Sequence, residues 1–515
     1  MPTNTAEARL DGPVLAEAAI RRFLAAARKP ALVEPGEERF PLNETTYSLE
    51  WHGGRLLIQV WDETRNLARR IVGIHEEKAG KLELIIERFG GVEGRVSLLD
   101  LARAGPATQR RAPRHVFREE FRRALRRQFP DWRLAELSTE PNLEESLSPT
   151  YPRALICKGG LGWAAIAAPP GSASGVLTFG LIWLDYLRKR ERRVTVEGLA
   201  LFLPQAEAKV ACLRLPFLNP RAARFAAFVY TADGYEDRLD PADYGNLATE
   251  LENCASLSPQ RPQQVAEWTE RLARLPFVEC IPRNDGSLSL RVRGLEFARA
   301  TGKELLFGLE RKSVARQANI AEIEELAREI SRMRAPHATG RGNPLGRLQP
   351  EAWLESQVRA NLENIDATLY AEPVYGQIPA VAGGDRGILD LLAADRSGRL
   401  AVLELKASED IHLPLQALDY WMRVRWHAER GDFSRQGYFP GIPLNREWPR
   451  LLLVAPSLDF HPKTETVLKY FAPEIEVERI GLGVEWREGP SVMFRVRGAE
   501  RPLKEHYVQR DLHPD

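Results

Sequence analysis

The chain has 515 residues and a formal net charge of +1, with 44% hydrophobic and 28% charged residues. These fractions are ordinary for a folded protein and exclude a low-complexity chain, and the length suggests three or four domains. The near-neutral charge excludes any argument from global electrostatics for or against a nucleic-acid partner.

The start of the chain and its cysteines predict a location. The first residues lack the basic start and apolar core of a secretory signal, and the longest apolar run, residues 175–187, is too short to span a bilayer. The four cysteines are far apart and include no Cys-x-x-Cys pair, so neither a zinc ribbon nor a local iron–sulfur motif is expected. Few thiols in a long chain predict a reducing cytoplasmic location, and no contact with a membrane is expected.

The first half of the chain contains two predicted units. An Ala-rich helix at 5–28 and a run of strands at 47–100 predict a β-rich N-terminal domain over residues 1–104. A linker rich in Pro, Gly and Arg follows. After it, an arginine-rich helix precedes strands that alternate with helices, which we assign to a second unit over residues 114–235.

The second half contains a middle region and a last unit. Residues 236–345 are predicted to mix helices with one strand pair, at 288–300 and 304–312, before a linker. The order helix, three strands, helix, strand, helix, strand then predicts a mixed sheet flanked by helices over residues 346–495. Residues 496–515 are interpreted as a tail. The predicted fold class is therefore α/β and multidomain.

Three charged residues, Asp390, Glu404 and Lys406, interrupt the apolar strands of the last unit. Residues 395–399, Asp-Arg-Ser-Gly-Arg, predict a hairpin with a three-residue loop and glycine at its last position. Counting back from this loop places Asp390 directly opposite Glu404, with Cβ atoms about 4.5–5.5 Å apart. Two buried carboxylates at that separation repel each other unless a cation lies between them, and oxygen ligands favour Mg²⁺.

Lys406 lies two residues beyond Glu404 and therefore on the same face of the strand. From there it can orient a water molecule at the cation and stabilise developing negative charge. The backbone carbonyl of Leu405 is a further candidate metal ligand. The alternative interpretation is a buried Glu–Lys ion pair with an unrelated Asp390 nearby.

The pattern Gly-x-x-Asp at 387–390, Glu-x-Lys at 404–406 and Gln-x-x-x-Tyr at 416–420 resembles the PD-(D/E)xK nuclease superfamily. The likeness is closest to its NucS/RecB-like branch and covers about residues 350–490. Leu389 stands where the family name has proline, a position that is loose in the family.

The resemblance implies a restriction-endonuclease-like sheet, a Mg²⁺ or Mn²⁺ cofactor and a set of site residues. The implied metal ligands include Glu355 of the preceding helix. Glu351 and Glu363 of the same predicted helix are alternatives to Glu355. The implied carboxylate ligands are Glu355, Asp390 and Glu404. The implied catalytic residues are Asp390, Glu404, Lys406, Gln416 and Tyr420.

Residues 115–232 repeat the element order of the last unit, and both units contain Leu-Asp-Tyr, at 184–186 and 418–420. We interpret the earlier copy as an inactive nuclease-like module, although units of alternating strands and helices all look similar at this level. Matching Arg153 to Arg386 in the two hairpins predicts Cys157 at the position of Asp390 and Ile166 or Ala167 at that of Glu404. In the helix with Leu-Asp-Tyr, Ile182 takes the place of Gln416.

Eight arginines precede or begin the second unit and are candidates for binding a phosphate backbone. A solvated helix face, partly balanced by Glu119 and Glu120, is the alternative. The candidate nucleic-acid-binding residues are Arg110, Arg111, Arg114, Arg118, Arg122, Arg123, Arg126 and Arg127.

These patterns predict a divalent-metal-dependent nuclease that hydrolyses phosphodiester bonds. The family resemblance favours DNA over RNA and a DNA endonuclease in repair or defence. The alternatives are a ribonuclease on the same site and a nucleic-acid-binding scaffold with a vestigial site. The intact charged residues of the last unit argue against the scaffold, while a homodimer or a partner protein is left open.

Overall fold

The computed structural model describes most of the chain. The described ranges are 7–33, 40–42, 47–52, 55–61, 66–78, 80–88, 92–100, 111–231, 236–244, 249–251, 253–254, 261–283, 286–309, 312–338, 344–382 and 385–503. Within them the chain is mixed α/β, with four sheets and flanking helices. None of the helices in these ranges is both long enough and apolar enough to cross a membrane.

The N-terminal unit is a helix packed on an antiparallel sheet. Its elements are α1 (Glu7–Ala26), β1 (Pro30–Val33), β2 (Phe40–Pro41), β3 (Tyr47–His52), β4 (Arg55–Trp61), β5 (Asn66–Lys78), β6 (Lys81–Arg88) and β7 (Val92–Asp100). The strand order is β2-β1-β7-β6-β5-β4-β3. Alternate residues of β4, Leu56, Ile58 and Val60, are buried in one core with Ala16 and Ile20 of α1, as the two-residue period of a strand requires.

The second unit is a six-stranded sheet with helices on both faces. Its elements are α2 (Arg111–Gln128), β8 (Arg133–Ser138), β9 (Arg153–Lys158), β10 (Leu161–Ala167), α3 (Ala173–Arg190), β11 (Thr195–Pro204), α4 (Ala208–Arg214), β12 (Arg224–Tyr230) and β13 (Glu236–Leu239). The strand order is β13-β12-β11-β10-β9-β8. Phe121 and Leu125 of α2 pack with Ala165 of β10, whereas Leu177 of α3 packs with Ile166 of the same strand.

The middle region contributes an antiparallel sheet with two covering helices. Its elements are β14 (Thr249–Leu251), α5 (Gln263–Ala273), β15 (Glu279–Pro282), β16 (Leu288–Val292), β17 (Leu295–Ala300), β18 (Leu305–Phe307), β19 (Ser313–Val314), α6 (Ile320–Met333) and α7 (Pro344–Arg347). Strands β15 to β19 pair in chain order. The expectation of one strand pair was wrong, because Arg293 and Gly294 turn the chain with φ of 46° and 79° and divide residues 288–300 into two strands.

The last unit is a seven-stranded mixed sheet. Its elements are α8 (Pro350–Ala360), α9 (Leu362–Ile365), β20 (Tyr375–Ala382), β21 (Asp385–Ala394), β22 (Leu400–Leu405), α10 (Leu413–Arg430), α11 (Asp432–Arg435), β23 (Arg450–Pro456), α12 (Thr464–Leu468), β24 (Val477–Leu482) and β25 (Val492–Arg497). The strand order is β14-β20-β21-β22-β23-β24-β25. The main elements follow the predicted order, and β14 and β25 are additional edge strands.

The second and last units share one sheet topology. In each, three strands pair antiparallel, the third pairs parallel with a fourth and the fourth with a fifth, and a sixth closes the edge antiparallel. Helices α3 and α10 occupy equivalent crossovers between the third and fourth strands, and α4 and α12 occupy the next crossovers. The described parts of both units therefore follow the same path through the sheet.

Equivalent helices also join the two units. Arg214 of α4 donates two hydrogen bonds, of 2.8 and 2.7 Å, to the carboxylate of Asp419 on α10. In the reciprocal contact, Lys469 after α12 lies 3.5 Å from the carboxylate of Asp185 on α3. The aspartate of each Leu-Asp-Tyr sequence thus binds a cation of the other unit, and one apolar core extends through both.

The strand register corrects the predicted equivalence of the two hairpins. The N–H of Ala168 donates to Phe202 O, and the N–H of Lys406 donates to Val454 O. Each donor lies one residue after the last strand pair of its unit, so Ala168 is equivalent to Lys406. Counting back, Ile166 takes the position of Glu404, and Ile166 pairs with Arg153. The prediction for Cys157 was wrong, because the hairpin turns set the register and Cys157 lies four residues nearer the turn. The residues of the second unit equivalent to Asp390, Glu404 and Lys406 are Arg153, Ile166 and Ala168.

Candidate active site

The hairpin between β21 and β22 has the predicted form. The N–H of Asp395 donates to Arg399 O at 2.8 Å, and Gly398 has φ of 83°. A Cβ atom at Gly398 would lie 2.1 Å from Pro443 O, so the turn requires glycine on two counts. Leu391 pairs with Leu403, and the next step of this register places Asp390 opposite Glu404, as predicted.

Asp390 and Glu404 are two carboxylates whose ionised forms are unfavourable in this environment. Glu404 is only 3% exposed, and its Oε2 atom has no hydrogen-bond partner among the described residues. Burial, and then the negative charge of Glu351, raises the pKa of Asp390 to about 7, against the opposing effect of Lys406. Burial and the charge of Asp390 raise the pKa of Glu404 well above its usual value. The positive charge of Lys406 therefore does not balance both carboxylates.

Lys406 lies among acidic side chains. Its Nζ atom is 3.4 Å from Asp410 Oδ2 and 3.7 Å from Glu351 Oε1. Burial alone would lower the pKa of Lys406, but Glu351 and Asp410, followed by Glu404 and Asp390, raise it well above its usual value. The lysine is therefore held as a cation at neutral pH.

Helix α8 presents two glutamates to this region, and they have different surroundings. Arg359 donates to Glu355 Oε1 at 2.7 Å, and Arg291 of β16 lies 3.7 Å from Glu355 Oε2. Glu355 is near enough to Asp390 to contribute to its raised pKa, but less than Glu351 does. The structure thus places Glu351, which the sequence offered only as an alternative, against Lys406, while two arginines bind Glu355.

Gln416 and Tyr420 lie one turn apart on α10, and both are half-buried. Burial, and then the charges of Glu404 and Asp390, raises the pKa of Tyr420, so its hydroxyl stays protonated near the carboxylates. Arg423, one turn further on the same helix, has its guanidinium 5.8 Å from the centre of the Tyr420 ring. The structure therefore brings Tyr420 to the predicted site, and it adds Arg423 beside it.

Sequence reasoning missed Asp410 and Arg423. Asp410 carried a local signal, because an aspartate two residues before a helix start often accepts a hydrogen bond from the backbone there. The N–H of His412 donates to Asp410 Oδ1 at 2.7 Å in this way. The spacing of four between Lys406 and Asp410 was a second signal. Arg423 had no distinctive signal, since buried and exposed arginines look alike in a helical sequence.

The carboxylate pair fits a divalent cation. Within the described ranges, no three His, Cys, Asp or Glu side chains are arranged as a ready metal-binding group. The fit instead comes from the unpartnered Glu404 Oε2 atom and the raised pKa values of both Asp390 and Glu404. The Leu405 N–H donates to Asp390 Oδ2 at 2.8 Å and holds that carboxylate in place. Hard oxygen ligands such as these carboxylates suit Mg²⁺ or Mn²⁺.

The predicted phosphate-binding arginines are only partly described. Arg110 lies outside the described residues, and the side chains of Arg111 and Arg114 are likewise not described. Arg118 donates to Leu137 O at 3.2 Å, and Arg122 pairs with Glu119. Arg123, Arg126 and Arg127 of α2 have exposed side chains.

Comparison with known proteins gives no direct indication of function. No protein-family model matches the chain, and no curated protein matches its sequence. Its function is therefore inferred from the geometry around Asp390, Glu404 and Lys406.

Proposed function

We propose that the chain is a divalent-metal-dependent nuclease that hydrolyses phosphodiester bonds. The observation that supports this most is the Asp390–Glu404 pair. Glu404 is buried, its Oε2 atom has no hydrogen-bond partner among the described residues, and it lies two residues before a protonated lysine. The sheet order around the hairpin, followed by the α10 crossover, is compatible with the restriction-endonuclease-like fold that the sequence resembles.

Asp390 and Glu404 would hold the cation, with the Leu405 carbonyl as a further oxygen. A divalent cation in this place supplies Lewis-acid activation of water and of the phosphodiester. Lys406 donates hydrogen bonds from Nζ to the phosphate and stabilises its developing negative charge. Glu351 and Asp410 keep Lys406 protonated, and the Tyr420 hydroxyl is a second donor beside the carboxylates.

DNA is the proposed substrate, and endonucleolytic cleavage in repair or defence is the proposed role. This preference rests on the resemblance of 387–390, 404–406 and 416–420 to the nuclease superfamily, because the chemistry of the site accepts RNA equally. The exposed arginines of α2 offer additional contacts to a phosphate backbone. A ribonuclease with the same residues is an outcome of the test below.

A cleavage assay tests the proposal. The purified full chain is incubated with circular, linear, single-stranded and mismatched DNA, and with RNA, in Mg²⁺, Mn²⁺ or a chelator. We expect cleavage of DNA with either cation and none with the chelator. Asp390→Asn, Glu404→Gln and Lys406→Ala should each abolish it without unfolding the protein.

Glu363→Gln is the matched control. Glu363 is an exposed carboxylate on α9, the short helix after α8, and among the described residues it pairs only with Arg396. This variant should cleave like the wild type. Absence of cleavage on every substrate, or a folded Lys406→Ala protein with full activity, would refute the proposed function and favour a binding scaffold.

A further inference from the structure

We propose that the second unit positions Lys406 through three linked residues, Thr178, His412 and Asp410. The proposal rests on the proposed role of Lys406 in hydrolysis. Thr178, His412 and Asp410 are positioning residues in this scheme, because they act on the phosphodiester only through the lysine.

The first link joins the two units. Thr178 of α3 is fully buried, and its Oγ1 atom shares a hydrogen bond of 3.0 Å with Nδ1 of His412. The ring of Phe179 packs edge-on against the same imidazole, with centroids 5.5 Å apart. A Cβ atom at Gly175 would lie 3.1 Å from His412 Cε1, so this turn of α3 leaves room for the imidazole because residue 175 lacks a side chain. The second unit therefore fixes the position of the His412 imidazole by a hydrogen bond and by packing.

The second link passes from His412 to Asp410. The carbonyl of His412 accepts hydrogen bonds from the N–H groups of Leu415 and Gln416, so His412 begins α10. Its own N–H donates to Asp410 Oδ1 at 2.7 Å. Fixing the imidazole in the second unit consequently fixes both the start of α10, which carries Gln416 and Tyr420, and one oxygen of Asp410.

The third link reaches the lysine. The other oxygen of Asp410, Oδ2, is 3.4 Å from Lys406 Nζ, which also lies 3.7 Å from Glu351 Oε1. A lysine head group sits on four flexible methylene groups, so the carboxylates around it decide where it points. One of these carboxylates belongs to α8, and the other is held through His412 by the second unit. This would explain why the chain retains a unit whose own site positions hold Arg153, Ile166 and Ala168.

The test combines two measurements on Thr178→Val, which keeps the shape of the side chain and removes the hydrogen bond. The first is the rate at which acetic anhydride labels Lys406 in the metal-free full chain, followed by mass spectrometry. We expect this rate to rise about threefold in Thr178→Val and about tenfold in Asp410→Asn, because a lysine head group that is no longer held 3.4 Å from Asp410 Oδ2 is more accessible to the reagent. The second is cleavage, for which we expect kcat about tenfold lower at unchanged KM.

Thr178→Ser restores the hydroxyl and should return both measurements to wild-type values. Asp185→Asn is the matched control, because Asp185 lies on the same helix and contacts the last unit through Lys469 instead. It should leave the labelling of Lys406 unchanged. If Thr178→Val does not fold, His412→Phe keeps the ring packing, removes Nδ1 and carries the same prediction.

The outcomes separate this proposal from the proposed function. Wild-type labelling of Lys406 in folded Thr178→Val overturns the positioning role, and so does an equal effect of Asp185→Asn. If labelling responds as expected but the wild type cleaves no nucleic acid, the positioning role stands and the nuclease function fails.

Discussion

Removing the charge of Asp390 should stabilise the metal-free protein. Asp390→Asn keeps the size of the side chain and an oxygen to accept the Leu405 N–H hydrogen bond, while it ends the repulsion with Glu404. The usual expectation for a buried polar residue is the opposite, since most substitutions of buried groups destabilise. The sign of the effect therefore reports whether burial and the neighbouring carboxylates destabilise the ionised form of Asp390.

The pKa of Asp390 sets the magnitude and its pH dependence. A pKa of about 7 in the folded state, against about 3.9 in an unfolded chain, corresponds to about 4 kcal/mol. Because the folded-state pKa is the higher one, this stability is present below pH 4 and is lost as pH rises through 7. The attraction to Lys406 is already contained in this pKa. The asparagine amide stays at a poorly solvated position, which offsets part of the gain, so we expect a net gain of about 2 kcal/mol at pH 8 and less than about 1 kcal/mol at pH 5.

Thermal unfolding at both pH values, with and without Mg²⁺, measures this. A gain of about 2 kcal/mol corresponds to about 4–8 °C in the melting of a unit of this size. Saturating Mg²⁺ should add about 2–3 kcal/mol to the wild type at a hundredfold excess over Kd and much less to the variant, so the order of stabilities should reverse. Glu363→Gln serves as the control and should behave like the wild type in all four conditions.

The opposite result has a clear meaning. If Asp390→Asn destabilises the metal-free protein equally at pH 5 and pH 8, Asp390 is a structural partner of Lys406. The alternative of a buried ion pair would then replace the metal-site hypothesis. A reversal with Mg²⁺ but no pH dependence would refute the raised pKa of Asp390 and leave the metal site in place.

Three further predictions follow from the structure. Asp419→Asn should cost about 3–5 kcal/mol in urea unfolding, because it leaves the buried Arg214 guanidinium without its carboxylate, whereas Asp185→Asn at the more exposed reciprocal contact should cost less than about 1 kcal/mol. Asp366→Asn should cost about 2 kcal/mol at pH 7: burial alone would raise the pKa of Asp366, but hydrogen bonds from Thr368 and the charges of Arg450 and Arg495 lower it to about 2. In thermal unfolding, this cost should vanish as pH falls from about 4 toward about 2. Replacing Arg123, Arg126 and Arg127 by glutamine should weaken nucleic-acid binding and reduce the slope of log affinity against log salt by up to about 3, as measured by fluorescence anisotropy. Stabilisation by Mg²⁺ should not change, and an unchanged slope would mean that these arginines form only a solvated helix face.

Some features of the site were determined by local sequence. The loop at 395–399 has a length and a glycine that allow one register, and the two-residue period of a strand then places Asp390, Glu404 and Lys406. The same rule, applied from the turn at Gly159, would have identified Arg153 instead of Cys157 in the second unit. Matching by a shared arginine failed there because residue identity carries no information about register.

Other features were decided only by the tertiary structure. Glu351 and Glu355 are one helical turn apart, and the difference between them comes from Arg291, which belongs to the sheet of the middle region. Arg214 and Asp419 are separated by 205 residues in the chain, and no periodicity links them. The surroundings of a charged side chain depend on which elements pack against it, and that packing is a property of the whole fold. The local pattern therefore located the carboxylates and the lysine, whereas the long-range contacts decided which neighbours hold them in place.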